Sequence, residues 1–247
     1  MATVALKAGI VRREGRDRFY SRTALLMALL VLSAFPLTYF GPLMSGSHRF
    51  RAIVHIHGLA FFAWIALYAL QTELAARGRI ARHRELGLAG IALSALMLPL
   101  GLAAAIVAVR ERQARGDAHP FAFTLYNVID IALFAILMTC AIACITRHQE
   151  WHRRLTFGAA LCLVGPAISR WFLPFPGVFP WTDFAPNLLA DLFLIPLAMH
   201  DRKVLGGVHQ ATLWMAAILV PIHIVTPWLT TSAAWNALAP AIMHLAP

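Results

Sequence analysis

The chain reads as all-α: a bundle of seven transmembrane helices made of one N-terminal helix and three pseudo-repeated hairpins, N-terminus in and C-terminus out. Three observations predict it. Of the 247 residues, 60% are hydrophobic and 13% charged, with mean hydropathy +0.70, whereas soluble domains carry about 25% charged residues. Seven apolar runs reach or approach the roughly 20 residues that cross about 30 Å of hydrocarbon. Each of three runs is entered through a turn bearing a histidine: Ala81-Arg82-His83-Arg84-Glu85-Leu86-Gly87, Glu150-Trp151-His152-Arg153-Arg154-Leu155 and Gly207-Val208-His209-Gln210-Ala211.

Residues 1–22 form a basic cytoplasmic arm, with Arg12, Arg13, Arg16, Arg18 and Arg22; an interfacial helix anchored by Phe19 and Tyr20 suits that composition. The membrane domain is 23–232, with spans at 23–43, 53–74, 86–109, 121–146, 155–172, 184–200 and 211–232, and residues 233–247 are a short extracytoplasmic tail. The first span is too long for a signal-peptide core and no small-residue cleavage site follows it, so it reads as an anchor. The sixth is the shortest and carries Asp191 and Pro196. Between the fifth and sixth lies 171–186, with four prolines, six Phe or Trp and no Lys or Arg. Proline at that density argues against a regular helix; the aromatics suit an interfacial loop or a lid over the bundle mouth.

Charge sets the orientation. With the N-terminus inside, fifteen Lys/Arg fall on the cytoplasmic side and six outside, the bias the positive-inside rule describes. The net charge of +10 is then topology and contact with anionic inner-leaflet lipids, in a bacterial-type inner membrane. No soluble domain offers the basic face a nucleic acid would need. Cys140, Cys144 and Cys162 all fall in spans, so no disulfide framework is implied. Cys140 and Cys144 share a helix face that suits a soft metal, or simple compact packing.

Ionisable groups inside hydrocarbon are expensive and normally face the bundle interior with a partner. Asp130, Asp191, Arg170, His55, His57 and His223 fall in the outer half of the spans, with Tyr126, Asn127 and Asn187 adding hydrogen-bonding capacity. Asn127 with Asp130 and Asn187 with Asp191 repeat one pattern at helical spacing, which makes an internal repeat of the hairpins plausible. Pro221 and Pro227 free backbone carbonyls around His223, a disturbance that membranes tolerate beside a cavity. Three readings stay open for this cluster. It is a network in which Asp130 and Asp191 pair Arg170 and the histidines; or a site where His57 and His223 ligate haem b or a transition metal, with Asp130, Asp191, Arg170 and Asn127 around it; or a proton or small-solute path, for which Asp and His in spans are the usual parts. The inner histidines His83, His152 and His209 supply the ligand count of a zinc or non-haem iron site, with Glu85 or Glu150 in reserve, or are ordinary interfacial residues.

No H-E-x-x-H, paired histidine box, Walker or dinucleotide loop occurs, and no lysine lies in the seventh span. Enzymatic activity is undetermined at this level. The functional classes are a haem- or metal-binding redox protein, a small-solute or proton transporter, and an assembly or sensor protein without chemistry.

The run from His57-Gly58 through Ala81-Arg82-His83-Arg84-Glu85-Leu86-Gly87 to Glu150-Trp151-His152-Arg153-Arg154-Leu155 resembles a set of poorly characterised bacterial multi-pass membrane proteins with histidine-bearing H-R-x-L-G hairpins. The likeness covers roughly residues 50–210 and implies a shared fold, with shared functional histidines at His57, His83, His152 and His209. A more distant likeness is to b-type cytochrome membrane subunits, which hold haem between histidines on neighbouring helices; here the inner histidines stand at helix mouths instead.

Overall fold

A computed structural model of the chain describes residues 17–175, 177–178 and 181–244. Among them every regular element is helical: α1 (Phe19–Ser33), α2 (Gly41–Ser45), α3 (Ala52–Ala76), α4 (Ile80–Ala114), α5 (Ala122–Ala143), α6 (Gln149–Phe172), α7 (Trp181–Asp191), α8 (Leu194–Leu205), α9 (Gln210–Thr230) and α10 (Ala233–His244). A π-helical turn, Pro36–Phe40, joins α1 to α2. Seven stretches are long and apolar enough to span a bilayer: Phe19–Ser45, Ala52–Ala76, Ile80–Ala114, Ala122–Ala143, Gln149–Phe172, Trp181–Leu205 and Gln210–Thr230. The chain is a multi-pass integral membrane protein, and side chains such as Leu29, Leu88, Ile136, Ile195 and Leu213 lie exposed on its outside, where lipid replaces water as their solvent.

The departures from the sequence expectation have physical causes. Helices α4 and α6 begin six residues before the apolar runs do, because Arg82–Glu85 and Gln149–Arg154 are good helix formers that extend past the hydrocarbon. The stretch 171–186 is not all irregular: α6 runs to Phe172, and α7 starts at Trp181 with Pro186 inside it. The sixth span is two helices, α7 and α8, meeting at Leu192-Phe193. The expected tail is helical over Ala233–His244, and the Trp235 indole donates to the Phe121 carbonyl at 3.0 Å. Phe19 and Tyr20 open the first span itself, while residues 1–16 of the basic arm lie outside the described residues.

Helix α6 is the axis. It touches α1, α5, α7 and α9, and from Arg154 to Ile168 every residue except Thr156 and Pro166 is buried. Its run Gly158-Ala-Ala-Leu-Cys-Leu-Val-Gly165 explains this: small residues let neighbouring backbones approach where lipid supplies no hydrophobic drive for helix association. A side-chain carbon at Gly158 would collide with Met215 of α9, and one at Gly165 with Asn187 of α7. Around the axis, Trp64 of α3 donates to Ser94 of α4 at 2.8 Å and meets Phe134 of α5 edge-on at 4.9 Å.

Successive spans alternate in direction, which gathers the basic turns at one end. There the Ser21 hydroxyl donates to Glu73, Asp17 meets His200 at 3.0 Å, and the Arg153 guanidinium lies 5.4 Å from the Tyr20 ring centre. At the opposite end Arg51 faces Glu111 at 3.8 Å.

Candidate functional site

In the half of the bundle away from the basic turns, α5, α7 and α9 bring three ionisable side chains into one line. His223 Nδ1 lies 2.8 Å from Asp191 Oδ2, and its Nε2 lies 3.6 Å from Asp130 Oδ1. Asn187 Nδ2 spans both Asp130 oxygens at 3.4 Å. All four side chains are buried: Asp130 is 3% exposed, His223 2%, Asp191 6% and Asn187 7%. At that depth an imidazole between two carboxylates is a charge-compensated unit, since any one of the three alone would cost several kcal/mol.

The repeated Asn and Asp pairs thus meet across helices: Asn187 of α7 serves Asp130 of α5, and Asp191 of α7 serves His223 of α9. The contact depends on Gly165, because Asn187 rests where any side chain at that position would stand. Gly165→Ala is expected to cost about 1–3 kcal/mol by overpacking and to part Asn187 from Asp130. Thermal melting in detergent checks the first effect. For the second, a Gly165→Ala/Asn187→Gly double variant should regain most of the lost stability.

Asp130 is also the member of the line that reaches a cavity of about 280 Å³. His57 and Gly58 of α3, Asn127 of α5, Cys162 and Arg170 of α6, and Thr38 and Tyr39 of the π-helical turn share its wall. The π turn explains how Thr38 and Tyr39 arrive there. Phe40 and Gly41 reach back five residues for their hydrogen bonds, to Phe35 and Pro36, which widens the helix and redirects its side chains. Tyr39 then bonds His55 Nδ1 at 2.6 Å.

Arg170 does not pair with either aspartate, contrary to the network read from sequence. Its guanidinium sits 4.3 Å from the Phe35 ring centre and donates to the Pro166 carbonyl. His57 lies against Phe61, ring centres 4.1 Å apart, and its Nδ1 has no hydrogen-bond partner among the described residues. Haem held between His57 and His223 does not fit this arrangement. His57 lines the cavity and His223 does not, and both nitrogens of His223 already face carboxylates. Cavities that take drug-sized ligands run about 300–1,000 Å³, so this one suits something smaller than a macrocycle.

The inner histidines sit where the hairpins turn, but each faces its own backbone partner. His83 Nδ1 donates to the Gln71 carbonyl at 3.2 Å, and His152 Nδ1 to the Ala141 carbonyl at 2.9 Å. These carbonyls lie twelve and eleven residues upstream, so the first two hairpins are built alike. His209 departs from the pattern by capping α9, its Nδ1 accepting from the Ala211 amide at 3.1 Å. Among the described residues no three His, Cys, Asp or Glu side chains are grouped as a metal would require. Glu150 is taken up by Arg153 and Arg154. Of the cysteines, Cys162 is buried and Cys140 exposed.

Burial, reinforced by the Arg154 guanidinium, holds the His209 imidazole below its ordinary value of 6.5. Only the neutral ring can accept at Nδ1, so the cap is present above that value and is lost as pH falls through the lower folded value. The protection factor of the Ala211 amide, its exchange relative to the intrinsic rate, is therefore expected to be high at pH 7.5 and to drop as pH is lowered through the folded value of His209. His209→Asn, which caps without titrating, should flatten the difference.

Beneath the inner turns lies a group that sequence reading missed. Arg154, 1% exposed, donates to Asp201, which is fully buried, and to Glu150. Asp201 also accepts from the His209 amide at 3.1 Å and the Thr212 hydroxyl at 2.6 Å. Arg154, Gly158 and Gly165 recur at intervals of four and seven, along one face of a helix that is buried on nearly every side. No family model, curated protein or solved structure matches the chain.

Proposed function

We propose that the chain is a proton-linked carrier of a small solute, with Asp130, His223 and Asp191 handling the proton and the adjoining cavity receiving the solute. The observation that carries this reading is the buried carboxylate–imidazole–carboxylate line, one end of which is the cavity wall. Chains of Asp and His in spans are the usual parts of proton relays. A proton arriving from the cavity meets Asp130 first. It passes to the lone pair of Nε2 on a neutral His223, and the imidazolium so formed hands its Nδ1 proton to Asp191. While the proton rests on His223, with both carboxylates ionised and Arg170 charged, the group sums to zero. Among the other cavity-lining groups, His57, Cys162 and Tyr39 can titrate, whereas Gly101, Ala104, Ala105 and Ala108 of α4 cannot.

Purified protein in liposomes with an imposed pH gradient tests the reading. Solute-dependent proton movement is expected in the wild type. His223→Gln keeps hydrogen-bonding capacity but cannot carry the charge, and should abolish the movement. Unchanged coupling in a folded His223→Gln protein would refute the relay. The redox alternative is checked by an absorption spectrum in mild detergent: a Soret band that sharpens on reduction and disappears with His57→Ala would replace the carrier reading.

The same proposal takes the bundle as N-in and C-out in a bacterial inner membrane, on the excess of basic residues at the end holding His83, His152 and His209 and their preference for the anionic inner leaflet. A periplasm-active reporter fused after Pro247 should be active, and a cytoplasm-only reporter at that site silent.

A further inference from the structure

We infer that the solute of this cavity is a small organic monoanion with an apolar body, its carboxylate seated on Arg170. The inference rests on the carrier reading, since it names the substrate class of the same cavity. Three polar groups on the wall lack partners their chemistry demands. No Asp or Glu oxygen of the described residues lies within 4.0 Å of the Arg170 guanidinium; it has an aromatic ring on one side and a carbonyl for one of its five donors. Among the described residues, His57 Nδ1 and Thr38 Oγ1 are buried without a hydrogen-bond partner. An unpaired cation and two orphaned polar atoms in one cavity constitute a demand for a ligand that is anionic and accepts hydrogen bonds.

The opposite charge is already satisfied. Asp130, the acidic group on the wall, is matched by His223 and Asn187, so the cavity has no vacancy for a cation. A second carboxylate on the ligand would find no second arginine and would face Asp130, which disfavours dianions. Apart from Tyr39, Asn127 and Cys162, the rest of the wall is apolar and aromatic, including Phe61, Phe62, Phe123 and Ile131, and the volume of about 280 Å³ admits roughly one ring or a short branched chain. An arginine against a carboxylate forms paired, charge-assisted hydrogen bonds that a lysine cannot reproduce. Entry of a monoanion together with one proton leaves the charge of the site unchanged, which joins this ligand class to the relay beside it.

The full chain in mild detergent is tested with benzoate, benzamide, benzylamine and phthalate, using calorimetric binding and ligand-induced thermal shift, with butyrate as an aliphatic probe. Saturable binding of benzoate or butyrate is expected, with benzamide, benzylamine and phthalate at least about tenfold weaker. Arg170→Gln should weaken the anion about tenfold or more, and Arg170→Lys should recover part of it. If the Arg170 variants do not fold, the wild-type ranking of benzoate over its neutral and cationic isosteres decides alone. Equal or tighter binding of benzamide or benzylamine, or no saturable binding by either anion, would overturn the inference, as would benzoate affinity unchanged in a folded Arg170→Gln protein. Anion binding without linked proton movement in liposomes would keep this assignment and remove the carrier reading. Proton-linked uptake of a neutral or cationic solute would do the reverse.

Discussion

Arg154→Met is expected to cost about 3–5 kcal/mol, more than any other single change considered for this chain, because it strands a buried carboxylate. Asp201 is fully buried and takes hydrogen bonds from Arg154, the His209 amide and Thr212. Removing the guanidinium leaves an anion with neutral donors only. The group fastens α6 to the α8–α9 turn, so its loss loosens the end of the bundle where the chain passes from α8 into α9. The exposed pair Arg77–Glu73, 2.5 Å apart at the end of α3, is the contrast: as a surface ion pair in water it contributes little. Denaturant titration in mixed micelles measures both. Adding Asp201→Asn to Arg154→Met should recover part of the loss, since the lone charge is then gone. A double variant as unstable as the sum of the singles would show that the two residues do not act as a pair.

The burial of Arg154 is hidden in the hydropathy pattern. The fifth apolar run begins at Leu155, one residue later, so Arg154 counts as a loop charge when charges are sorted by hydropathy. Its burial comes from the α8–α9 turn, which brings Asp201, His209 and Thr212 over the foot of α6, a tertiary fact with no local mark except the spacing to Gly158 and Gly165. The spans themselves were legible because hydrocarbon thickness imposes one length on every helix. Their ends were not, because helix propensity carries α4 and α6 beyond the lipid and α10 lies outside the length rule.

The site was legible in its parts and not in its pairing. A carboxylate in a span announces itself by cost alone, so Asp130, Asp191, Arg170, His57 and His223 stood out from composition. Which cation meets which anion depends on the register between helices, and periodicity fixes only the face on a single helix. One of the three readings open from sequence pairs Arg170 with the aspartates; the structure gives both aspartates to His223 and leaves Arg170 on Phe35. Gly165, which sets the register of α7 against α6, has no property in the sequence that separates it from Gly158 or Gly90.

Asp130→Asn is expected to abolish pH-driven solute flux while leaving the fold intact, and it is the sharpest test of the carrier reading. The substitution is isosteric. The amide oxygen still accepts from Asn187, and His223 keeps Asp191 at 2.8 Å, so no charge is left buried alone and the melting temperature should change little. What is lost is the one protonatable group that the line of three presents to the cavity. Flux driven by a pH gradient should fall to that of protein-free liposomes. Exchange of labelled for unlabelled solute at equal pH moves no net proton and should survive, because the cavity, Arg170 and His57 are untouched. Asp130→Glu, which restores a carboxylate on a longer stem, should return part of the driven flux. A residue with a merely structural role would lower driven flux and exchange together and would gain nothing from the glutamate. That joint loss in a variant that melts like the wild type would show that Asp130 does not carry the proton.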